Sequence, residues 1–81
     1  MNRNEILAVI IESICEETEF EYGESITEKT TANDVPGWDS LAHVRIMFNI
    51  DLTLGTEVPI ESTYGASNVG DLINLYQKAL V

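Results

Sequence analysis

Apolar residues recur at three- and four-residue spacing in three separate stretches of this 81-residue chain, and that rhythm restricts the fold to packed helices. Ile6, Leu7, Ile10, Ile11, Ile14 and Cys15 mark the first stretch, from Asn4 to about Glu17. Asn2 or Asn4 can cap it, and Glu5 falls in its first turn, where an acid suits the helix dipole. The second begins at Asp39 or Ser40 and runs to about Leu54. Its Leu41, Val44, Met47, Phe48, Ile50, Leu52 and Leu54 give a broad apolar face, and Gly55 supplies a stop. The third starts near Ser67-Asn68, with Val69, Leu72, Ile73, Tyr76 and Leu80 as its stripe, Asp71 in its first turn and Lys78 near its end. Val58-Pro59 is extended, because a residue preceding proline avoids the helical region, and Ile60 to Ala66 has room for one short helical turn. The fold class is therefore all-α, a small bundle of three to four helices.

Thr18 to about Trp38 breaks the rhythm. Thr, Asn, Asp, Gly and Pro accumulate there, making a long loop between helices one and two, and Pro36-Gly37 stops any earlier helix from reading through. Phe20, Tyr22, Ile26, Val35 and Trp38 stand isolated in it and are expected to pin it to the helices. Loops of this length in small domains are commonly functional.

Residues 1–81 make a single domain, and a chain this short buries only about 60% of its unfolded surface, which leaves little volume for a deep pocket. Fourteen acids against four bases give a formal net charge of -10. That balance argues against nucleic acid and against anionic membranes, and it predicts protein partners with basic docking patches. No apolar run approaches the roughly 18 residues that span a bilayer, and Met1-Asn2-Arg3-Asn4-Glu5 lacks the layout of a signal peptide. Cys15 is the one cysteine; it has no internal disulfide partner and reads as a buried thiol. A cytoplasmic monomer is the expectation.

The chemistry concentrates at Ser40, in Gly37-Trp38-Asp39-Ser40-Leu41. The plain reading is a helix cap, since Asp and Ser are both preferred there. The functional reading is a serine modified by another enzyme: a phosphodiester on its hydroxyl would sit in the field of the helix amides. His43 follows three residues on, and a Ser40–His43 hydrolase is the least favoured alternative, because such a dyad lacks oxyanion donors and a pocket. His43 reads instead as a surface histidine. Asp34 and Asp39 flank a turn, but their spacing matches neither a calcium loop nor a zinc site, so no metal is expected. A slot between helices able to take a flexible chain is a further possibility that sequence leaves open.

Asp39-Ser40-Leu41 opening helix two, Val58-Pro59 after Gly55, and Asn68-Val69-Gly70-Asp71-Leu72 opening the last helix together resemble the acyl carrier protein family over nearly the whole chain. The resemblance implies a carrier and not an enzyme. It makes Ser40 the attachment point of a 4′-phosphopantetheine arm, moved from coenzyme A by a phosphopantetheinyl transferase. It implies further that acyl intermediates ride on the arm as thioesters, presented to loading and transferring enzymes of a fatty-acid, polyketide or related specialised pathway. Leu41 and Met47 would then lie near the arm. The chain departs from the family on helix two, which carries His43, Arg45, Asn49 and Asp51 where several glutamates are common, and Thr56 follows Gly55 where a branched apolar residue is frequent. Two alternatives stand beside acyl carriage: an aminoacyl or peptidyl carrier, and an unmodified acidic interaction module in which Ser40 is only a cap.

Overall fold

A computed structural model describes residues 1–81. Four helices follow one another with no strand: α1 (Arg3–Thr18), α2 (Ser40–Leu54), α3 (Ile60–Thr63) and α4 (Val69–Ala79). Two short 3-10 turns, Gly23–Ser25 and Ala32–Asp34, lie in the connection from α1 to α2. No helix is long and apolar enough to cross a membrane.

Helix α1 is central and packs against both α2 and α4. Asn2 caps it: its side chain accepts from the Glu5 amide at 2.9 Å, and Glu5 accepts in return from the Asn2 amide at 2.9 Å. This reciprocal box satisfies two donors that a helix start otherwise leaves open. Ile6, Ile10 and Ile14 of α1 are wholly buried against Ile46, Met47 and Ile50 of α2 and Leu72, Ile73 and Tyr76 of α4. Cys15 is half-buried beside them, and burial, helped by the charge of Glu24, pushes its thiol pKa up. The Tyr76 phenol, buried and near the Asp51 charge, is likewise pushed well up; its hydroxyl makes only long contacts, to the Met47 carbonyl at 3.5 Å and the Met47 sulfur at 3.6 Å.

The broad apolar face expected of α2 divides in two. Ala42, Ile46, Met47 and Ile50 enter the core, whereas Leu41, Val44, Phe48 and Leu52 remain 65%, 46%, 64% and 69% exposed. The reason is geometric. At 3.6 residues per turn the two sets lie on opposite sides of the helix, and the bundle covers only one side. Leu80 also stays at the surface, because α4 ends at Ala79.

The long connection is held to the helices at several places. Ile26 and Val35 are buried, and Phe20 and Trp38 pack at the core's edge; Tyr22, expected to pin the loop, is instead exposed, with its ring edge-on to Phe20. The middle of the loop docks on α4. The Val69 amide donates to the Thr30 carbonyl at 2.9 Å, the Gly70 amide to the Glu28 carbonyl at 2.8 Å, and the Asp71 amide to the Asn68 side chain at 2.9 Å. The opening amides of α4 are thereby all engaged. Arg3 closes the junction: its guanidinium donates to Glu28 at 2.6 and 3.3 Å, to Asn74 at 2.6 Å, to Gln77 at 3.0 Å and to the Gly70 carbonyl at 3.3 Å. That hydrogen bonding holds the Glu28 carboxyl below its ordinary pKa.

Gly70 permits this approach, since a Cβ there would lie 3.1 Å from the Glu28 carbonyl oxygen that its own amide holds. An ordinary helical Gly→Ala change gains up to about 1 kcal/mol. Gly70→Ala is expected to reverse the sign and cost about 1 kcal/mol or more, because the clash is with backbone. Urea denaturation checks it; a stabilised variant would show that the loop is not held here.

Candidate functional site

The approach to Ser40 is built by Val35-Pro36-Gly37-Trp38. The Trp38 amide donates to the Val35 carbonyl at 3.2 Å, and Gly37 takes φ 89, in the left-handed region. Proline second and glycine third is what a type II turn requires. A Cβ on Gly37 would also press on the Thr18 carbonyl at 3.3 Å, so the turn sits tightly over the end of α1. The chain then enters α2 through Asp39, whose extended backbone and side chain form the cap: its carboxylate accepts from the Ala42 amide at 2.8 Å.

Ser40 is therefore the first helical residue and not the cap. The cap reading of Ser40 fails on this geometry, because Asp39 fills the role. Ser40 is exposed, and no group of the chain engages its hydroxyl. Its own amide and that of Leu41 precede the first intrahelical bond, His43 amide to Asp39 carbonyl at 2.9 Å, and both are open at the positive end of the helix.

His43 does not face Ser40 as a base, nor is it a surface histidine. It is half-buried, and both ring nitrogens are occupied. The Trp38 indole N–H donates to Nδ1 at 3.1 Å, which places the proton on Nε2 because an indole can only donate. Nε2 then donates to the Thr63 hydroxyl at 2.7 Å, and Thr63, 1% exposed, donates onward to the Ile60 carbonyl at 2.7 Å. The Tyr64 ring stacks on the imidazole with centroids 4.9 Å apart. Trp38, His43, Thr63 and Tyr64 thus fasten the loop's end and α3 to the first turn of α2. Sequence reading missed Thr63 and Tyr64, and no local pattern marks a contact across twenty positions.

The remaining candidates have structural work. Asp34 accepts from the Thr31 amide at 2.9 Å, and no group of three metal-binding side chains is placed to hold an ion. Met47, expected near an arm on Ser40, is buried in the core. At the exit of α2, Gly55 takes φ 70, and the Thr56 hydroxyl, unlike an apolar side chain, donates to Asp51 at 2.6 Å. The space beside the latch is a cavity of about 50 Å³ lined by Trp38, His43, Thr63 and Leu72 among others. It admits a few waters and is far below the volume of a ligand pocket. The slot for a flexible chain is not present.

Comparison of the chain with family models, with curated proteins and with solved structures returns no match.

Two measurements follow from the geometry. Asp39→Ala should cost about 0.5–2 kcal/mol as a lost cap, whereas Ser40→Ala should stay within about 0.5 kcal/mol; equal losses in denaturation would return the cap to Ser40. Burial pushes the His43 pKa below its ordinary value, and the indole donor, which needs a lone pair on Nδ1, acts in the same direction. The unfolded chain thus protonates first on acidification. The contribution of His43 to stability is complete above about pH 6.5 and declines below it. Proton NMR should find its midpoint under about 6.5, and Trp38→Phe should raise it.

Proposed function

We propose that this chain is a carrier whose Ser40 hydroxyl receives a 4′-phosphopantetheine arm and so holds acyl intermediates for partner enzymes. The observation that carries the reading is the division of labour at the start of α2: Asp39 caps the helix, and Ser40 is left exposed with a free hydroxyl. The fold does not call on the Ser40 hydroxyl, because Asp39 supplies the cap. This hydroxyl is held out on a rigid helix end by a type II turn below it and the Trp38–His43–Thr63 latch beside it.

The residues present suit the group. The amides of Ser40 and Leu41 have no backbone partner and lie at the positive end of the helix, which would favour a phosphodiester on the hydroxyl. The Asp39 carboxylate, which would oppose that anion, is turned to the Ala42 amide. When bound, the arm supplies a thiol able to form a thioester. The chain's own part is to present Ser40 to a transferase using coenzyme A and to keep the loop and α3 clear of it. With only about 50 Å³ open inside, the cargo stays outside the core, which favours short or polar cargo over a long alkyl chain. Aminoacyl cargo fits the same surface.

Intact-mass analysis after incubation with coenzyme A, magnesium and a broad-specificity phosphopantetheinyl transferase tests the proposal. One phosphopantetheine is expected on the wild-type chain and none on Ser40→Ala, which should remain helical by circular dichroism. A folded, unmodified wild-type chain beside a modified control protein would overturn it.

A further inference from the structure

We infer that His43 is an acid-released tether: neutral, it holds the Trp38 end of the long loop to α2, and protonated, it lets the indole go while keeping α3. The inference stands whether or not Ser40 is modified.

The two sides of the imidazole respond differently to a second proton. Nδ1 must accept, because the Trp38 indole 3.1 Å away has only an N–H to offer. Protonation of Nδ1 removes its lone pair and sets two N–H donors against each other. Nε2 carries a proton in both forms, so its bond to the Thr63 hydroxyl at 2.7 Å survives. The aromatic contacts divide in the same way. Tyr64 stacks on the imidazole with planes 28° apart and centroids at 4.9 Å, and a ring face attracts a cation. Trp38, with its centroid 6.1 Å away, turns its N–H edge toward the imidazole, and an aromatic edge is the positive part of the ring. Acid therefore loosens the loop's side and leaves the α3 side in place.

No carboxylate pairs with the imidazole to offset the new charge. The elements around it do carry acids, but these are directed elsewhere. Asp34 accepts from the Thr31 amide, Asp39 from the Ala42 amide and Asp71 from the Ser67 amide, while Glu61 of α3 is exposed. On α2 itself Arg45 pairs with Glu17, and the Tyr64 phenol is the remaining titratable group in contact. The cavity of about 50 Å³ beside the pair is walled by Ala32, Ala66, Ser67, Asn68 and Leu72 as well as by latch residues, with no charged side chain but His43. Burial is accordingly the one cause that moves the His43 pKa, downwards. That cavity has room for water to take up the freed indole N–H as the rings part. The isoleucine seam of α1 and α2 holds no titratable group, and the Asp39 cap and the Trp38 amide bond to Val35 persist, so the release is local.

Trp38, the one tryptophan, reports on the tether. The experiment follows its indole N–H by nitrogen-15 NMR, its emission, and the ring-to-ring Overhauser contacts of His43 as pH falls from about 7.5 to about 5. The Trp38 signals should move reversibly with one midpoint, that of the His43 ring. Contacts from His43 to Trp38 should fall about threefold or more, and those to Tyr64 should persist, with far-UV circular dichroism unchanged. Wild type and Ser40→Ala should behave alike. His43→Gln offers one accepting and one donating atom that do not titrate, and it should abolish the Trp38 transition. Trp38 signals that stay flat through the His43 titration would overturn the proposal. So would joint loss of the Tyr64 contacts, a transition that survives in His43→Gln, or loss of helicity at the same midpoint. The wild-type ring contacts decide the question even without a folded variant.

Discussion

The opening amides of α4 hold the rest of the molecule in place. A connection as long as that between α1 and α2 carries many backbone donors and acceptors, and the chain is too small to bury them in a sheet. Thr30 and Glu28 instead spend their carbonyls on the Val69 and Gly70 amides, which a helix start leaves open. One set of bonds satisfies both segments. Once the middle of the loop is anchored, Ile26 and Val35 fall on the core, and the Val35–Trp38 turn arrives above the end of α1. The position of Ser40 is thus set by a helix that follows it in the chain.

Arg3 explains why a chain poor in bases retains one here. Its planar fork reaches the loop, α4 and the Gly70 carbonyl together, so one side chain joins the first helix to the last. The Trp38–His43–Thr63 latch does the equivalent at the other end. A neutral imidazole can accept from one neighbour and donate to the next, and this ordered pair of bonds suits histidine and no apolar residue. Of the two junctions, the latch is the one that ties the first turn of α2, where Ser40 emerges, to the loop and α3.

Helix α2 is apolar nearly all round while only half of it is covered. In a monomer that exposure is unfavourable, and it is offset by the Ile-rich seam on the buried side. The net charge of -10 gives the molecule a negative field that biases which surfaces can approach it. Ser40 is followed directly by Leu41, the first of these exposed residues.

Local signals made much of this legible in the chain itself. The spacing of Ile6, Ile10 and Ile14, the stops at Gly55 and Pro36-Gly37, and the caps at Asn2, Asp39 and Asn68 are all short-range physics, and the helices start and end within a residue or two of where these place them. The exposure of Ser40 followed from its place at a helix start. Periodicity on α2 was ambiguous, because a helix with apolar residues on every side does not say which side the bundle covers. The engagement of His43 Nε2 by Thr63, the burial of Met47, the exposure of Tyr22 and the closing of the space beside α3 all depend on partners far away in sequence. Those contacts form only when α3 and α4 close on α2 and the loop, so the sequence alone determined the helices, their caps and the candidate serine, and tertiary packing decided the face, the latch and the volume inside.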